Sequence, residues 1–123
     1  MAPPSEQERA MGRFLALYLG SASEAEKAAA PVDARTQADG MKAWGAWMGR
    51  HAASIVDGGG PLGPTKRVSK AGIADTRNNL TGYVIVEAET LDAAARLFED
   101  HPHFSIFPGE AVEIVECLAL PGM

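Results

Sequence analysis

Four strand-like runs of apolar residues lie along the chain, and two helical segments separate them. The runs are RFLALYLG from Arg13, SIVDG from Ser54, LTGYVIVEAE from Leu80 and AVEIVECLAL from Ala111. One helical segment follows the first run after a connector, and a second, AAARLFED, follows the third. The order β-α-β-β-α-β is typical of the split βαβ arrangement, so the sequence predicts an α+β, ferredoxin-like fold with an antiparallel sheet.

The first helical segment is predicted to begin after Asp33 and to end near His51. Small and apolar residues recur at helical spacing and predict the face that packs on the sheet: Ala34, Ala38, Met41, Gly45, Met48 and Ala52. Trp44 flanks this stripe, and Trp47 lies near its edge. The helix also contains Gly40, Gly45 and Gly49, each of which costs about 1 kcal/mol relative to alanine. We interpret these glycines as points of close approach to the sheet.

A segment rich in glycine joins the second and third strands. Gly58 to Gly63 matches the dinucleotide fingerprint G-x-G-x-x-G, but Pro64 to Arg67 opens no helix that would receive a pyrophosphate. The segment is therefore interpreted as a tight turn that needs positive φ, and no cofactor is assigned. Thr65 to Ser69 is predicted to be a short edge strand, and residues 70–79 to be a hairpin tip.

Residues 14–19 and 83–86 are all apolar, and successive residues of a strand point to opposite faces, so both faces of the predicted sheet carry apolar side chains. Two helices cover only one face of a four-stranded sheet, and a large exposed apolar face is unusual on a monomer. A second copy packed sheet to sheet is the simplest cover. The sequence therefore predicts a two-fold homodimer.

Length and composition fit a single domain over residues 12–123, preceded by a mobile tail at residues 1–11. Leu, Ile, Val and Phe supply only 25 residues, which predicts a thin core that association would supplement. The net charge of −5 and the lack of a basic stripe argue against nucleic acid. No stretch has the length of a membrane span, and the N terminus lacks a secretory signal, so a cytoplasmic protein is expected. The single Cys117 is interpreted as a small core residue.

His101 and His103 are the candidate histidines. Residues i and i+2 of an extended segment share a face, so one alternative is a paired metal site, but it would need a third ligand and no metal is assigned. The alternative places His101 at the end of the second helix, before Pro102 breaks the chain, where an imidazolium suits the negative end of the helix dipole. A further hypothesis makes one of the two histidines a proton-transfer group.

Asp57, after the second strand, is the candidate acid. It would act as a general base or hydrogen-bond acceptor at a pocket mouth, or else form an Asx-turn that satisfies the glycine loop. The candidate substrate-binding residues, an aromatic wall for a flat ligand with an adjacent methionine, are Tyr18, Trp44, Met48 and Tyr83. The alternative for these aromatic residues, and for Trp47, is a core or interface position.

Several segments together resemble the YCII-related (DGPF-domain) proteins of the dimeric α+β barrel superfamily. They are FLALYLG, AWGAWMG, IVDGGGPLG, LTGYVIVEAETLDAAARLFEDHP and VEIVE, and they span Gly12 to Leu118. The resemblance implies a ferredoxin-like fold, a dimer through the sheets and a small pocket. Asp57 matches the aspartate of a His–Asp pair proposed as catalytic in some relatives. The helix histidine of that pair is absent, and methionines and tryptophans occupy the region.

The candidate residues and the family resemblance together leave two functions open. The first is a small lyase or isomerase that acts on an aromatic or enol-like molecule by proton transfer, with dehydrochlorinase-like chemistry implied by the resemblance. The second is a non-catalytic dimer that binds a ligand or partner, since relatives lie near, or are fused to, extracytoplasmic-function sigma factors. Convergence of Asp57 with His101 or His103 in one cleft would favour the enzyme.

Overall fold

The computed structural model describes residues 11–20 and 32–119, so the predicted tail, apart from Met11, lies outside the described residues. The strands are β1 (Gly12–Leu19), β2 (Ile55–Pro61), β3 (Thr65–Ser69), β4 (Gly72–Thr76), β5 (Leu80–Ala88) and β6 (Ala111–Cys117). The helices are α1 (Ala34–Arg50), α2 (Leu91–Arg96) and α3 (Pro102–Ser105). A 3-10 turn at Ala52–Ser54 precedes β2.

The main sheet has four strands in the order β2-β5-β1-β6, and every neighbouring pair is antiparallel. β1 and β2 are therefore parallel to each other and separated by β5, with α1 in the connection between them. α2 and α3 lie in the connection from β5 to β6. This topology is the ferredoxin-like arrangement, and it confirms the predicted α+β fold with an antiparallel sheet.

The hydrophobic core lies between one face of this sheet and the two longer helices. Its buried residues come from alternate positions of β1 and β5 and from the helical segments: Phe14, Ala16, Tyr18, Val84, Val86, Ala88, Trp47, Ala94 and Phe98. Trp47 on α1 is only 1% exposed, and its Nε1–H donates to the Leu97 carbonyl at 2.7 Å. This bond ties α1 to the turn after α2.

Helix α1 has the predicted limits but not the predicted buried face. Asp33 caps it, since its Oδ1 accepts from the Thr36 N–H at 2.8 Å, and the helix ends at His51. The stripe of small residues from Ala34 to Ala52 is largely exposed, whereas Trp47 is buried. The prediction was wrong because burying large indole rings removes far more apolar surface from water than burying alanines does.

The glycines of α1 differ from one another. A side chain at Gly40 would collide with the ring of Phe107, so this glycine allows close packing of α1 on the segment after α3. Gly45 and Gly49 face open space. Close approach therefore explains one of the three glycines, and the neighbour is Phe107 and not the sheet.

The glycine segment after Ile55 is part of a strand, which corrects the predicted loop. β2 continues to Pro61, and its pairing with β5 is irregular on both sides of Asp57. Gly59 has φ 64°, and a Cβ there would strike the Tyr83 carbonyl, so the position needs glycine. The next element is strand β3, which pairs with β4 in a separate two-stranded sheet and not with the main sheet.

The segment around His101 also differs from the prediction. α2 ends at Arg96, a turn follows, and Asp100 has φ 58°. His101 then caps the N terminus of α3, with Pro102 in the first turn. Proline is favoured there because its φ suits a helix start and its missing N–H needs no partner. His101 therefore begins a helix, whereas the sequence predicted that it ends one.

The sheet face opposite the core is partly apolar. Leu15 pairs with Ile85 on one side and with Val115 on the other, and all three side chains point to this face by strand alternation. Val115 is 47% exposed.

Cys117 at the end of β6 is exposed, so its predicted core position was wrong. Among the described residues, no helix has the length and apolar character needed to cross a membrane.

Candidate functional site

A cavity of about 280 Å³ lies where α1 faces the glycine segment of β2 and the start of β5. Its lining includes aromatic residues, a methionine of α1 and glycine-rich segments of two strands: Tyr18, Met41, Trp44, Gly58, Gly60, Pro61, Thr81, Gly82 and Tyr83. The volume is just below the range for drug-sized ligand pockets, which begins at about 300 Å³. The cavity has the size of a site for a small molecule with one or two rings.

Two residues of β5, Gly82 and Thr81, position Tyr18 at the wall of this cavity. A Cβ at Gly82 would lie 3.2 Å from Cδ2 of Tyr18, so the missing side chain lets the phenol ring lie against β5. The Thr81 hydroxyl donates to the Tyr18 carbonyl at 3.1 Å. Together these contacts hold the phenol at the end of β1.

A chain of buried hydrogen bonds lies behind Tyr18. The Tyr18 hydroxyl is 3.2 Å from Nε2 of His101. Nδ1 of His101 accepts from the main-chain N–H of His103 at 3.0 Å. Nε2 of His103 lies 2.7 Å from the Leu19 carbonyl. Both imidazoles are therefore tied to the backbone, and His101 is the one that also hydrogen-bonds to the phenol hydroxyl.

Aromatic rings enclose His101, which has no exposed surface. The ring centroids of Trp44 and Trp47 lie 4.5 Å and 4.6 Å from that of His101, both edge to face. Tyr18 packs at 5.1 Å from His101 and at 5.0 Å from Trp44. Such tilted ring pairs are favourable beyond the area that they bury. The imidazole is consequently held in a fixed, dry position.

Burial sets the protonation states of this pair. It lowers the pKa of His101 to about 4, and the nearby His103 and His51 act in the same direction. Burial also raises the pKa of Tyr18 well above its usual range. At neutral pH both groups are therefore uncharged.

The structure brings several of the predicted site residues together. His101, His103, Tyr18 and Trp44 form one cluster, and Tyr83 belongs to the cavity lining. Met48 is half-buried, and its Cε lies 3.3 Å from where a Cβ of Gly58 would be. It therefore borders the lining.

Asp57 lies apart from this cluster. Its side chain is exposed, and its Oδ1 accepts from the Gly59 N–H at 2.8 Å, which is the Asx-turn considered from the sequence. It pairs with Ile85, whose side chain points away from the core. Among the described residues, no hydrogen bond joins Asp57 to either histidine. A catalytic role for Asp57 stays a prediction.

Sequence reasoning missed part of the lining. The missed residues are Met41, Gly58, Gly60, Pro61, Thr81 and Gly82. Gly82 carried a usable signal, since glycine inside a strand of β-formers often marks a close backbone approach. Met41 lies one helical turn before Trp44 and so shares its side of α1. In the part of the chain that the structure describes, no three metal-ligating side chains converge.

Comparison with known proteins gives a structural similarity at low sequence identity. No protein-family model matches the chain, and no curated protein does. The chain is similar to the solved structure of 5-chloro-2-hydroxyhydroquinone dehydrochlorinase (TftG) from Burkholderia phenoliruptrix AC1100, in complex with 2,5-dihydroxybenzoquinone. The match covers 83% of this chain and 89% of that chain, at 20% sequence identity and a TM-score of 0.47.

Proposed function

We propose that the cavity binds a small planar molecule and that the protein is a lyase- or isomerase-type enzyme of the YCII-related family. The observation that carries the proposal is the buried Tyr18–His101 hydrogen bond at the wall of an aromatic cavity. Trp44 and Tyr18 give the cavity an aromatic lining that suits a flat ligand, and the glycines of β2 let such a ligand approach the backbone closely. A polar group inside an apolar lining fixes the orientation of such a ligand.

Tyr18 is the residue that we place against the ligand in this proposal. A tyrosine kept protonated by burial donates its hydrogen to an oxygen of the ligand and stabilises negative charge that develops there. An enolate or phenolate forms when a proton leaves an adjacent carbon, or when a substituent is eliminated, and either species gains from such a donor. The sequence predicted that Asp57 and one of the two histidines, His101 or His103, transfer the proton. In this proposal His101 supports the phenol. Proton transfer by Asp57 or His103 requires that side chain to reach the bound ligand.

One observation favours the non-catalytic alternative, in which the protein binds a ligand without converting it. Both ring nitrogens of His101 are already engaged, one by a backbone N–H and the other by Tyr18. The exposed Asp57 is not among the residues that line the cavity. The enzyme hypothesis needs a base that removes a proton from the ligand. The described contacts do not place such a base at the cavity.

A ligand screen tests the proposal. We expect single-ring phenols, enones or aromatic acids to raise the melting temperature. A ligand at 100 times its Kd adds about 2.7 kcal/mol to the free energy of unfolding. Tyr18→Phe should weaken binding of the best ligand about tenfold, because it loses one hydrogen bond of about 1 kcal/mol or slightly more. Arg67→Ala, in the exposed hairpin, is the matched control and should bind as the parent does.

The outcomes separate the candidates. If ligand bound to the parent protein exchanges carbon-bound hydrogen in D₂O faster than free ligand, as followed by NMR, the enzyme is supported. Binding without exchange or product supports the binding protein. Failure of every compound in the screen to bind would contradict the proposed small-molecule function.

We also propose that the protein is a cytoplasmic two-fold dimer, joined through the open sheet faces. This proposal is supported by an apolar patch that the helices do not cover, formed by Leu15, Leu17, Ile85 and Val115. Covering such a patch removes it from water, and identical faces meet naturally about a two-fold axis. The proposed partners are a second copy and a small molecule, with no role for nucleic acid or a membrane.

Sedimentation or light scattering at micromolar concentration is expected to show the mass of a dimer. Val115→Lys should give a monomer, because it buries a charge in the proposed interface. Val68→Lys is the matched control: Val68 is an exposed strand valine in the β3–β4 hairpin, at 75% exposure, and its replacement should leave the dimer intact. A monomeric parent protein would refute the interface.

A further inference from the structure

The hydrogen-bond chain behind the cavity determines where each hydrogen lies. A main-chain N–H can only donate, so Nδ1 of His101 is an acceptor and carries no hydrogen. His101 is neutral at pH 7 because burial lowers its pKa, and a neutral imidazole holds one hydrogen. That hydrogen is therefore on Nε2, from which it is donated to the Tyr18 oxygen.

The hydrogen bond between Tyr18 and His101 therefore has a fixed direction. Its oxygen accepts from His101, so its own hydrogen is not used in that bond. The reverse arrangement, in which Tyr18 donates to His101, needs a bare Nε2 and a hydrogen on Nδ1. The N–H of His103 already points at Nδ1 from 3.0 Å, and two hydrogens would then face each other. Tyr18 thus keeps one hydrogen for another acceptor.

His103 reinforces the arrangement. Its Nε2 lies 2.7 Å from the Leu19 carbonyl, which can only accept, so Nε2 of His103 carries a hydrogen. A Cβ at Gly109 would collide with the His103 ring, and the Gly109 N–H donates to the His103 carbonyl at 2.9 Å. The His103 ring and backbone are therefore held at three points, and the N–H that sets the His101 tautomer is held with them.

We propose that the His103 main chain locks His101 as an Nε2–H donor, and that this makes Tyr18 a dedicated hydrogen-bond donor that selects ligands with an acceptor oxygen. Such an oxygen is a ring carbonyl, an enolate or a phenolate, and molecules that offer only a donor are disfavoured. His101 is then a positioning residue and not a general base. The inference rests on the proposed function, because it assumes that the ligand occupies the cavity beside Tyr18.

The tautomer can be measured without any ligand. Long-range ¹H–¹⁵N correlation spectra of the uniformly ¹⁵N-labelled full chain at pH 7 distinguish the two neutral tautomers of each imidazole. The signals of His101 are assigned by their loss in His101→Asn. We expect the Nε2–H form for His101. The Nδ1–H form, or a charged ring at pH 7, would overturn the proposal.

Three probes of matched shape test the selectivity by calorimetry: indanone offers an acceptor oxygen, indole offers only a donor, and indane offers neither. The parent protein should bind indanone about tenfold more tightly than indane, and indole no better than indane. Tyr18→Phe should abolish the preference for indanone. His101→Asn should reduce it while the aromatic walls stay in place.

The results distinguish ligand binding in the cavity from the selectivity for an acceptor oxygen. If all three probes bind with equal affinity, the cavity is a ligand site but the selectivity is refuted. A preference for indole over indane would refute it as well. If none of the probes binds, while the tautomer is the expected one, the proposed function fails at this cavity and the ligand selectivity fails with it.

Discussion

Trp47→Ala is expected to lower the free energy of unfolding by about 3–5 kcal/mol, the usual cost of deleting a large buried aromatic side chain. The indole is 1% exposed and packs on Phe98 and His101, with ring centroids 4.9 Å and 4.6 Å away. Its removal leaves a cavity in the core and a carbonyl at Leu97 without its hydrogen-bond donor. Denaturant unfolding followed by far-ultraviolet circular dichroism measures the change.

Two variants calibrate this result. Trp47→Phe keeps most of the apolar contact and loses only the bond to Leu97, so its cost should be clearly smaller. Lys42→Ala removes an exposed side chain from the same helix and should change stability by less than about 0.5 kcal/mol. A Trp47→Ala protein as stable as Lys42→Ala would show that α1 does not pack on the sheet through this residue.

Acidification from pH 6.5 to pH 4 is expected to remove roughly 3 kcal/mol of stability through His101. Burial, with the charges of His103 and His51, lowers its pKa from 6.5 to about 4 in the folded protein. The unfolded chain therefore binds a proton near pH 6.5 that the folded chain rejects until about pH 4. The contribution is fully present above pH 6.5 and is lost as the pH falls toward 4. Urea unfolding at stepped pH values measures it.

His101→Asn provides the comparison. Asparagine is a good N-cap, so α3 keeps its start, while the titrating group is gone. The variant is expected to be less stable than the parent at pH 7 but to lose less stability on acidification. Carboxylates titrate in both proteins, so the difference between the two curves isolates His101. Parallel curves would contradict the depressed pKa.

The periodicity of the strands was sufficient to predict the fold. β1 and β5 alternate cleanly between core and open face, because a residue on a strand has only two sides to choose from. The limits of α1 followed from the cap at Asp33. Its buried face did not, because the stripe of small and apolar residues from Ala34 to Ala52 and a stripe that contains Trp47 both satisfy helical spacing, and only packing decides between them.

The site was predictable in its residue types but not in its connections. Tyr18, Trp44 and His101 were candidates, yet their convergence depends on His101 starting α3, and the short helix has no periodic signal of its own. The bond between Tyr18 and His101 joins residues 83 positions apart. Such a contact follows from strand order and turn geometry, which no local pattern encodes.

The β3–β4 hairpin has a consequence for local stability. Every residue from Lys66 to Asn79 is exposed, and the cross-strand pair Val68 and Ile73 is about three-quarters exposed. Little apolar burial holds this ribbon, so it can open and close as a separate unit while the main sheet stays folded. Its amide hydrogens should exchange with solvent long before those of β1 and β5. The ribbon is thus a place where the chain can lengthen, shorten or acquire a new sequence without disturbing the cavity.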